Sequence, residues 1–250
     1  EQAMKLDAQY IATGHYCGIK KENGRTYLTR ALDENKDQTY FLNQVTENQI
    51  ENALFPLEKM TKPEVRKIAE ENGFVTARKK DSTGICFIGE RNFRRFLAQY
   101  IPMKEGEIKT LDGKTVGTHN GVYYYTIGQH KGFGLGGVKG LANNDSWYII
   151  RKDVANNILY VSQGETEELY AQSLVTEGFN FITENIPSGT RVKARIRHRQ
   201  PLQDATFYLD GNDVRLVFDK KQRAVAEGQY AVVYTDDVCV GGGVIANPKK

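Results

Sequence analysis

The chain has 250 residues, of which 40% are hydrophobic and 26% are charged, a composition typical of ordinary globular proteins. The length predicts about two or three domains. The formal net charge of +3 is too small to indicate a nucleic-acid partner by itself, so the distribution of charge has to decide that question. No apolar run approaches the roughly 18 residues of a membrane-spanning helix, and no secretory segment opens the chain.

The cysteines are too few and too far apart for a disulfide framework: they are Cys17, Cys86 and Cys239. This use of cysteine is typical of a reducing compartment, and we expect a cytoplasmic protein. The opening residues, Glu1–Lys5, have the pattern of the last turn of a helix that leads into a strand. We therefore expect the sequence to be a fragment whose front part lies upstream of Glu1.

A short buried strand is predicted at Tyr10–Thr13, and it ends in a polar loop. In open α/β sheets, ligands bind beyond the carboxyl ends of the strands. Thr13, Gly14 and His15 are therefore candidate ligand contacts. The alternative is a plain strand end with a capping histidine.

A polar cluster, Lys36-Asp37-Gln38, follows a predicted hairpin at Asn23-Gly24 and runs directly into an apolar segment. These side chains can donate and accept hydrogen bonds toward phosphates or bases, or they can form a solvated turn. Two helices are predicted next. The first spans Thr46 to Ala53, and the second begins with a capping box at Thr61–Glu64.

Cys86 lies between Gly84 and Gly89 and follows the pair Lys79–Lys80. A thiolate is stabilised by nearby cations and backbone N–H groups, and glycines allow backbone to approach the sulfur closely. The alternative is an inert cysteine in a short core strand, Ile85–Ile88. The segment by itself leaves both interpretations open.

From Pro102 onward the predicted strands are short and the turns frequent, as at Asp112-Gly113 and Asn120-Gly121, which predicts a small β domain. The stretch Gly132–Gly137 matches a G-x-G-x-x-G pattern. No helix pattern follows it, so we reject a dinucleotide site in favour of a flexible loop.

A third segment, again β in pattern, begins near Ala171, and its most informative strand is predicted at Thr190–Gln200. Strict alternation would place five cations on one face of that strand: Arg191, Lys193, Arg195, Arg197 and Arg199. A row of one sign suggests a polyanion such as RNA. The alternative is a face neutralised by acidic neighbours such as Asp204 or Asp213. Cys239 lies in an apolar strand, and we expect it to be inert.

Taken together, these segments resemble the tRNA-specific 2-thiouridylase family over essentially the whole chain. The motif around Cys86 is highly specific, whereas the glycine-rich motifs are weak singly. The residues that carry the resemblance are Ala12–Tyr16, Lys36–Leu42, Thr61–Arg66, Asp81–Gly89, Tyr125–Gln129, Gly228-Gln229 and Gly241–Gly243.

The resemblance implies an α/β plus β fold in three parts. Residues 1–98 would be the C-terminal part of an ATP-pyrophosphatase α/β domain, of the adenine nucleotide alpha hydrolase-like type. Residues 99–168 would form a small central β domain, and residues 169–250 a C-terminal β-barrel.

The resemblance also implies a tRNA-uridine 2-sulfurtransferase. ATP, accompanied by Mg²⁺, would adenylate the wobble uridine, and Cys86 would carry a persulfide loaded by a sulfur-relay protein or a cysteine desulfurase. Gly14 matches an ATP-contacting position. The protein would be a monomer without a structural metal and without a membrane partner. The positions that match tRNA contacts are His15, Lys36, Asp37, Gln38, Arg197, His198 and Gln229.

Two features of the family are missing from this sequence. It contains no phosphate-binding loop of the SGGxDS type, and no second catalytic cysteine, which we expect upstream of Glu1. Cys17 follows Gly14-His15-Tyr16, and we do not take it as a substitute nucleophile. These residues alone are therefore predicted to be inactive. The alternatives are a non-catalytic RNA-binding module and a persulfide carrier that uses Cys86 alone.

Overall fold

The computed structural model describes residues 5, 7–79, 96–135 and 145–249, which form two compact units. The first unit combines the N-terminal residues up to 79 with residues 172–221 and 227–249. The described part of the second unit comprises residues 96–135 and 145–171, together with residues 222–226. Cys86 and its motif lie outside the described residues. The predicted domain boundaries at 98/99 and 168/169 stay a prediction.

The N-terminal part of the first unit contains short elements. They are β1 (Ile11–Ala12), β2 (Cys17–Glu22), β3 (Arg25–Arg30), a 3₁₀ turn (Thr39–Leu42), α1 (Glu47–Ile50), β4 (Ala53–Leu54) and α2 (Lys62–Glu71). Strand β1 pairs in parallel with β4. The strand is predicted to be buried, and this is wrong, because both residues of β1 are exposed. Among the described residues, β4 is the one strand that pairs with β1, so little of the chain covers it.

Local signals set the turns and helix starts as predicted. Asn23 and Gly24 have φ of 51° and 74°, the conformation that a two-residue hairpin requires. The Thr61 N–H donates to Glu64 Oε2 at 2.7 Å, which closes the capping box of α2. Helix α1 ends earlier than predicted, since Ala53 enters β4. Within the described ranges, no helix has both the length and the apolarity needed to cross a bilayer.

The C-terminal part of the chain forms a closed barrel. Its strands are β9 (Tyr170–Phe181), β10 (Arg191–Arg195), β11 (Gln203–Asp210), β12 (Asp213–Arg223), β13 (Tyr230–Thr235) and β14 (Val238–Lys249). They are hydrogen-bonded in the order β13-β10-β11-β12-β9-β14, and pairing of β13 with β14 closes the barrel within the described residues. The expected C-terminal β-barrel is thereby confirmed.

The β2–β3 hairpin joins the same sheet, since β3 pairs with β14 at Thr29 and Val238. One buried cluster spans the N-terminal part and the barrel, and it comprises Cys17, Leu28, Tyr40, Ile50, Ile182, Val232, Tyr234 and Cys239. Segments far apart in the sequence therefore share one hydrophobic core. This core fixes the loop after β3 against the barrel.

The second unit contains a four-stranded sheet of order β6-β5-β8-β7 in its described part. The strands are β5 (Gly106–Thr110), β6 (Thr115–His119), β7 (Trp147–Asp153) and β8 (Ile158–Gln163). Ile108, Ile149 and Leu159 are fully buried in its core. This is the small β domain that the turn signals predict.

The glycines of β14 let this strand pass close to β9. A Cβ on Gly241, whose φ is +151°, would overlap the carbonyl oxygen of Asn180. A Cβ on Gly243 would lie 2.8 Å from Thr176 Cβ. The close approach of two backbones therefore explains why glycine occupies these positions.

We expect Gly241→Ala to destabilise the protein strongly. The left-handed conformation costs an alanine about 1 kcal/mol, and crowding against Asn180 adds roughly 1–3 kcal/mol. Gly178→Ala is the matched control, because Gly178 has φ of +60° but open space at its Cβ. Urea unfolding measures both variants. Equal losses of unfolding free energy would show that the close approach is unimportant.

Candidate nucleic-acid interface

The polar loop after β3 is hydrogen-bonded to the segment that follows β1. The Gln38 N–H donates to the Tyr16 carbonyl at 2.8 Å, and the Tyr16 N–H donates to Gln38 Oε1 at 2.9 Å. Both backbone and side chain of Gln38 thus hold the chain immediately after His15. The structure therefore brings two predicted site segments, residues 14–15 and 36–38, next to each other.

Gly14 and His15 differ in their surroundings. Gly14 is exposed, and a Cβ built on it would meet no atom within 4 Å, so its backbone is open to a ligand. His15 is half-buried, and its Nδ1 lies 2.6 Å from Thr13 Oγ1, which fixes the ring. The sequence-based choice between a ligand contact and a plain strand end stays open here.

Asp37 is buried and serves as the counter-ion of a barrel residue. Asp37 is only 1% exposed to solvent. Its carboxylate accepts hydrogen bonds from Thr39 Oγ1 at 2.9 Å and from Arg195 Nη1 at 3.1 Å. Arg195 is buried as well, at the end of β10. The Asp37 side chain therefore points into the protein interior, where its contact with Arg195 holds the loop in place.

The 3₁₀ turn after Asp37 is fixed to β13 by two tyrosines. Thr39 Oγ1 lies 3.1 Å from the hydroxyl of Tyr234, and the Tyr40 hydroxyl donates to the Tyr230 carbonyl at 3.1 Å. Burial raises the pKa of Tyr40 and of Tyr234, so the hydroxyls of these two residues stay protonated. Tyr230 directly follows Gln229, another predicted contact, which is exposed.

The predicted row of five cations is wrong in part. Strand β10 ends at Arg195, and residues 196–199 form a bend and a turn. Arg191 binds Asp219 at 2.8 Å, and Lys193 binds Asp204 at 2.9 Å. Together with the ion pair between Arg195 and Asp37, these contacts neutralise the three cations of β10. The alternative of a neutralised face therefore holds for β10, through Asp37 and Asp219 in addition to the expected Asp204, while Asp213 plays no such part.

The turn after β10 carries Arg197, His198 and Arg199. The His198 ring packs on the Phe41 ring at a centroid distance of 4.4 Å, and its Nδ1 is buried without a hydrogen-bond partner in the described residues. Burial, and then the neighbouring Arg199 cation, lower the pKa of His198, so its imidazole is neutral at pH 7. Arg197 is half-buried.

Arg199 is the exposed cation of this turn. Its φ is +65°, an uncommon value for a residue with a side chain. Its guanidinium forms no ion pair with any residue that the structure describes, and it lines a shallow groove with Lys193, Arg195 and Arg30. An exposed, unpaired arginine on a strained turn is well suited to bind a phosphate.

The described cysteines are not reactive. Cys17 and Cys239 are both free and buried. Burial raises the pKa of both thiols, and the nearby Asp37 carboxylate raises it further. Both side chains therefore stay protonated and act as core residues, as we expect from the sequence for Cys239.

The sequence interpretation misses the aromatic side of this site. Tyr40 and Phe41 belong to the apolar segment after the polar cluster, and their pattern does not distinguish a buried ring from an exposed one. Tyr40 is 5% exposed, whereas Phe41 is 58% exposed. The available signal was the position of a phenylalanine three residues after the polar cluster Lys36-Asp37-Gln38.

Three family models match the chain. They are described as the tRNA methyl transferase HUP domain over residues 1–90, the tRNA methyl transferase PRC-barrel domain over residues 94–163, and the aminomethyltransferase beta-barrel domain over residues 171–245. The first agrees with the expected ATP-pyrophosphatase-type fold, and the other two describe β domains.

Curated relatives named tRNA-specific 2-thiouridylase MnmA match nearly the whole chain. The Streptococcus agalactiae (strain NEM316) protein is 48% identical over 98% of this chain and 66% of its own length. The Alkaliphilus oremlandii protein is 47% identical, with 98% and 67% covered. The Streptococcus mutans protein is 45% identical, with 99% and 67% covered. The chain thus spans about two thirds of the length of these relatives.

We expect Asp37→Asn to lower the free energy of unfolding by about 3–5 kcal/mol, because it leaves the buried Arg195 without its counter-charge. Asp204→Asn is the control, since it breaks the exposed pair with Lys193, and such pairs contribute little. Urea denaturation of both variants gives the comparison. A stability of Asp37→Asn equal to that of Asp204→Asn would contradict the role of this ion pair.

Proposed function

The chain belongs to the tRNA-specific 2-thiouridylase family, and from this premise we propose that the protein is an ATP-dependent sulfurtransferase. Its product would be 2-thiouridine at the wobble position of tRNA. The observation that carries this proposal is the identity of 45–48% to relatives with that name over nearly the whole chain. The cysteine usage fits a cytoplasmic enzyme.

Cys86 is the proposed sulfur carrier. The 2-oxygen of uridine is a poor leaving group. Its attack on the α-phosphate of ATP would release pyrophosphate and attach AMP to this oxygen, which could then leave as part of AMP. The terminal sulfur of a persulfide on Cys86 would then form the new bond to C2 while the bond from C2 to the AMP-bearing oxygen breaks and AMP leaves. The thiolate of the second catalytic cysteine, which we expect upstream of Glu1, would then attack Cys86 Sγ, so that the S–S bond breaks, the sulfur stays on uridine and the two cysteines form a disulfide. A sulfur-relay protein or a cysteine desulfurase would load the persulfide. Lys79 and the glycines beside Cys86 would favour the ionised sulfur.

The residues of this chain fit part of an ATP site. The open backbone at Gly14 leaves room for a nucleotide next to a strand end. The phosphates need a glycine-rich loop, and no SGGxDS pattern occurs in these residues. No cluster of three or more metal-ligating side chains occurs in the described ranges, and Mg²⁺ stays an expectation that accompanies ATP. We therefore propose that these residues alone do not adenylate tRNA.

The tRNA would lie on the surface formed by the polar loop and the turn after β10. The polar loop and the segment before it would contribute His15, Lys36 and Gln38 to this surface. The turn after β10 would contribute Arg197 and His198, and Gln229 would contribute from beside Tyr230. Asp37 stays a predicted tRNA contact, and its buried carboxylate positions this loop through Arg195. Contacts from such a surface to phosphate and sugar position the RNA, and they do not select its sequence.

We expect Cys86→Ser in the full-length protein to abolish tRNA thiolation, because serine cannot carry a persulfide. Cys17→Ser is the matched control and should retain thiolation, since the Cys17 thiol is buried and protonated. Thiolated tRNA can be separated by its retardation in a mercury-containing gel. Retained thiolation in Cys86→Ser would refute the sulfurtransferase mechanism and favour an RNA-binding module, whereas persulfide on Cys86 without transfer to tRNA would favour a carrier.

We expect Arg199→Gln to weaken tRNA binding and to reduce the dependence of log affinity on log salt by about one unit, as for the loss of one phosphate contact. Arg215→Gln is the control, because Arg215 is also an exposed barrel arginine but lies over the Tyr208 ring, 4.5 Å from its centroid. Binding titrations at several salt concentrations measure both. An unchanged salt slope for Arg199→Gln would assign this arginine to a solvated surface.

A further inference from the structure

Phe41 is an exposed aromatic side chain on a rigid support. The residue is 58% exposed, whereas Thr39, Tyr40 and Asn43 in the same turn are buried. Asn43 Nδ2 donates to the Tyr40 carbonyl at 2.6 Å, and Asn180 Nδ2 donates to the Asn43 carbonyl at 3.0 Å. The turn is therefore held from both the loop side and the barrel side, and its one large exposed ring is fixed in place.

His198 supports the Phe41 ring from the turn after β10. Their centroids are 4.4 Å apart with an interplanar angle of 42°, and the Tyr40 ring meets Phe41 edge-on at 5.6 Å. The three rings form one cluster, which we call the aromatic platform: Tyr40 is its buried base, and Phe41 is its exposed surface. Its parts come from two segments that are far apart in the sequence.

The charges around the aromatic platform suit a nucleic acid. Arg199 follows His198 directly, is exposed and forms no ion pair with the residues that the structure describes. Lys36 and Arg195 also lie near His198, and Arg195 is already paired with the buried Asp37. The platform itself thus stays uncharged, with an exposed arginine beside it. Proteins that bind single-stranded RNA combine these two elements, an aromatic ring for a base and cations for the backbone.

We propose that the aromatic platform stacks an unpaired base of the bound RNA on Phe41, beside the phosphate contact of Arg199. This inference rests on the proposed function and adds to it a residue that contacts a base. Phosphate contacts do not distinguish a stem from a loop, because both carry the same backbone. A stacking ring distinguishes a loop from a stem, because the bases of a stem are already stacked on each other, whereas those of a loop can turn outward. Phe41 therefore makes the site select an unpaired segment.

The first test replaces Phe41 in the full-length protein and measures affinity for an unmodified tRNA transcript and for a fully paired RNA duplex. Phe41→Leu should weaken tRNA binding roughly five- to a hundredfold, the usual loss for one stacked base, with the salt slope and the duplex affinity unchanged. Phe41→Tyr keeps a ring and should bind as the wild type does. Phe74→Leu is the matched control, because Phe74 is 61% exposed elsewhere in the same unit.

The second test detects the stacking directly. In Phe41→Trp, the new indole should lose fluorescence when tRNA binds and keep it when the duplex binds. The wild-type protein, in which these residues contain only the buried Trp147, is measured in the same way and supplies the background. Thermal unfolding of each variant checks that the exposed position tolerates the change.

The outcomes separate the inference from the function on which it rests. Equal tRNA affinity for Phe41→Leu and wild type overturns the platform, as does unquenched fluorescence in Phe41→Trp. An equal loss for tRNA and duplex also overturns it. Unchanged tRNA affinity with thiolation lost only when sulfur comes from a donor protein would make Phe41 a protein contact instead. A wild-type protein that binds tRNA without thiolating it refutes the proposed function and leaves the stacking result readable.

Discussion

The buried ion pair between Asp37 and Arg195 holds the candidate interface together. Removing two charges from water is costly, and the cost is offset only when the geometry is good and the remaining lone pairs are satisfied. Both groups are nearly inaccessible, and Thr39 supplies further hydrogen bonds to the carboxylate. The two residues are 158 positions apart in the sequence. One contact therefore joins the loop after β3 to the last residue of β10.

The exposed residues of the interface depend on the buried ones between them. Along Asp37-Gln38-Thr39-Tyr40-Phe41, the first, third and fourth residues are buried, and Phe41 is exposed. The buried residues anchor the turn to β13, so they fix the direction in which Phe41 points. On the barrel side, Arg195 and Ile196 are buried, and Arg199 at the end of the turn is exposed. The same ion pair thus orients both halves of the surface, which suits a site that has to hold an RNA in one position.

Charge in the sequence gives an incomplete account of charge on the surface. The alternation of cations from Arg191 onward predicts correctly that several of them share a strand. It cannot show that Asp219 and Asp37 reach the same face, because these carboxylates arrive from other elements. Three of the cations are therefore neutralised, whereas Arg199, on the turn, is exposed and forms no ion pair with the residues that the structure describes. Single-sign patterns indicate a polyanion site only after cross-strand partners are known.

The sequence by itself determined the local features: the hairpin at Asn23-Gly24, the capping box of α2, the strands of the barrel and the family to which the chain belongs. Each of these depends on neighbouring residues or on a whole motif, and so it can be recognised in one dimension. The tertiary structure alone decided that Asp37 is buried, that Phe41 is exposed and that the loop after β3 meets the turn after β10. These facts depend on which distant segment covers a side chain, and a periodic pattern shows a shared face without showing what packs against it.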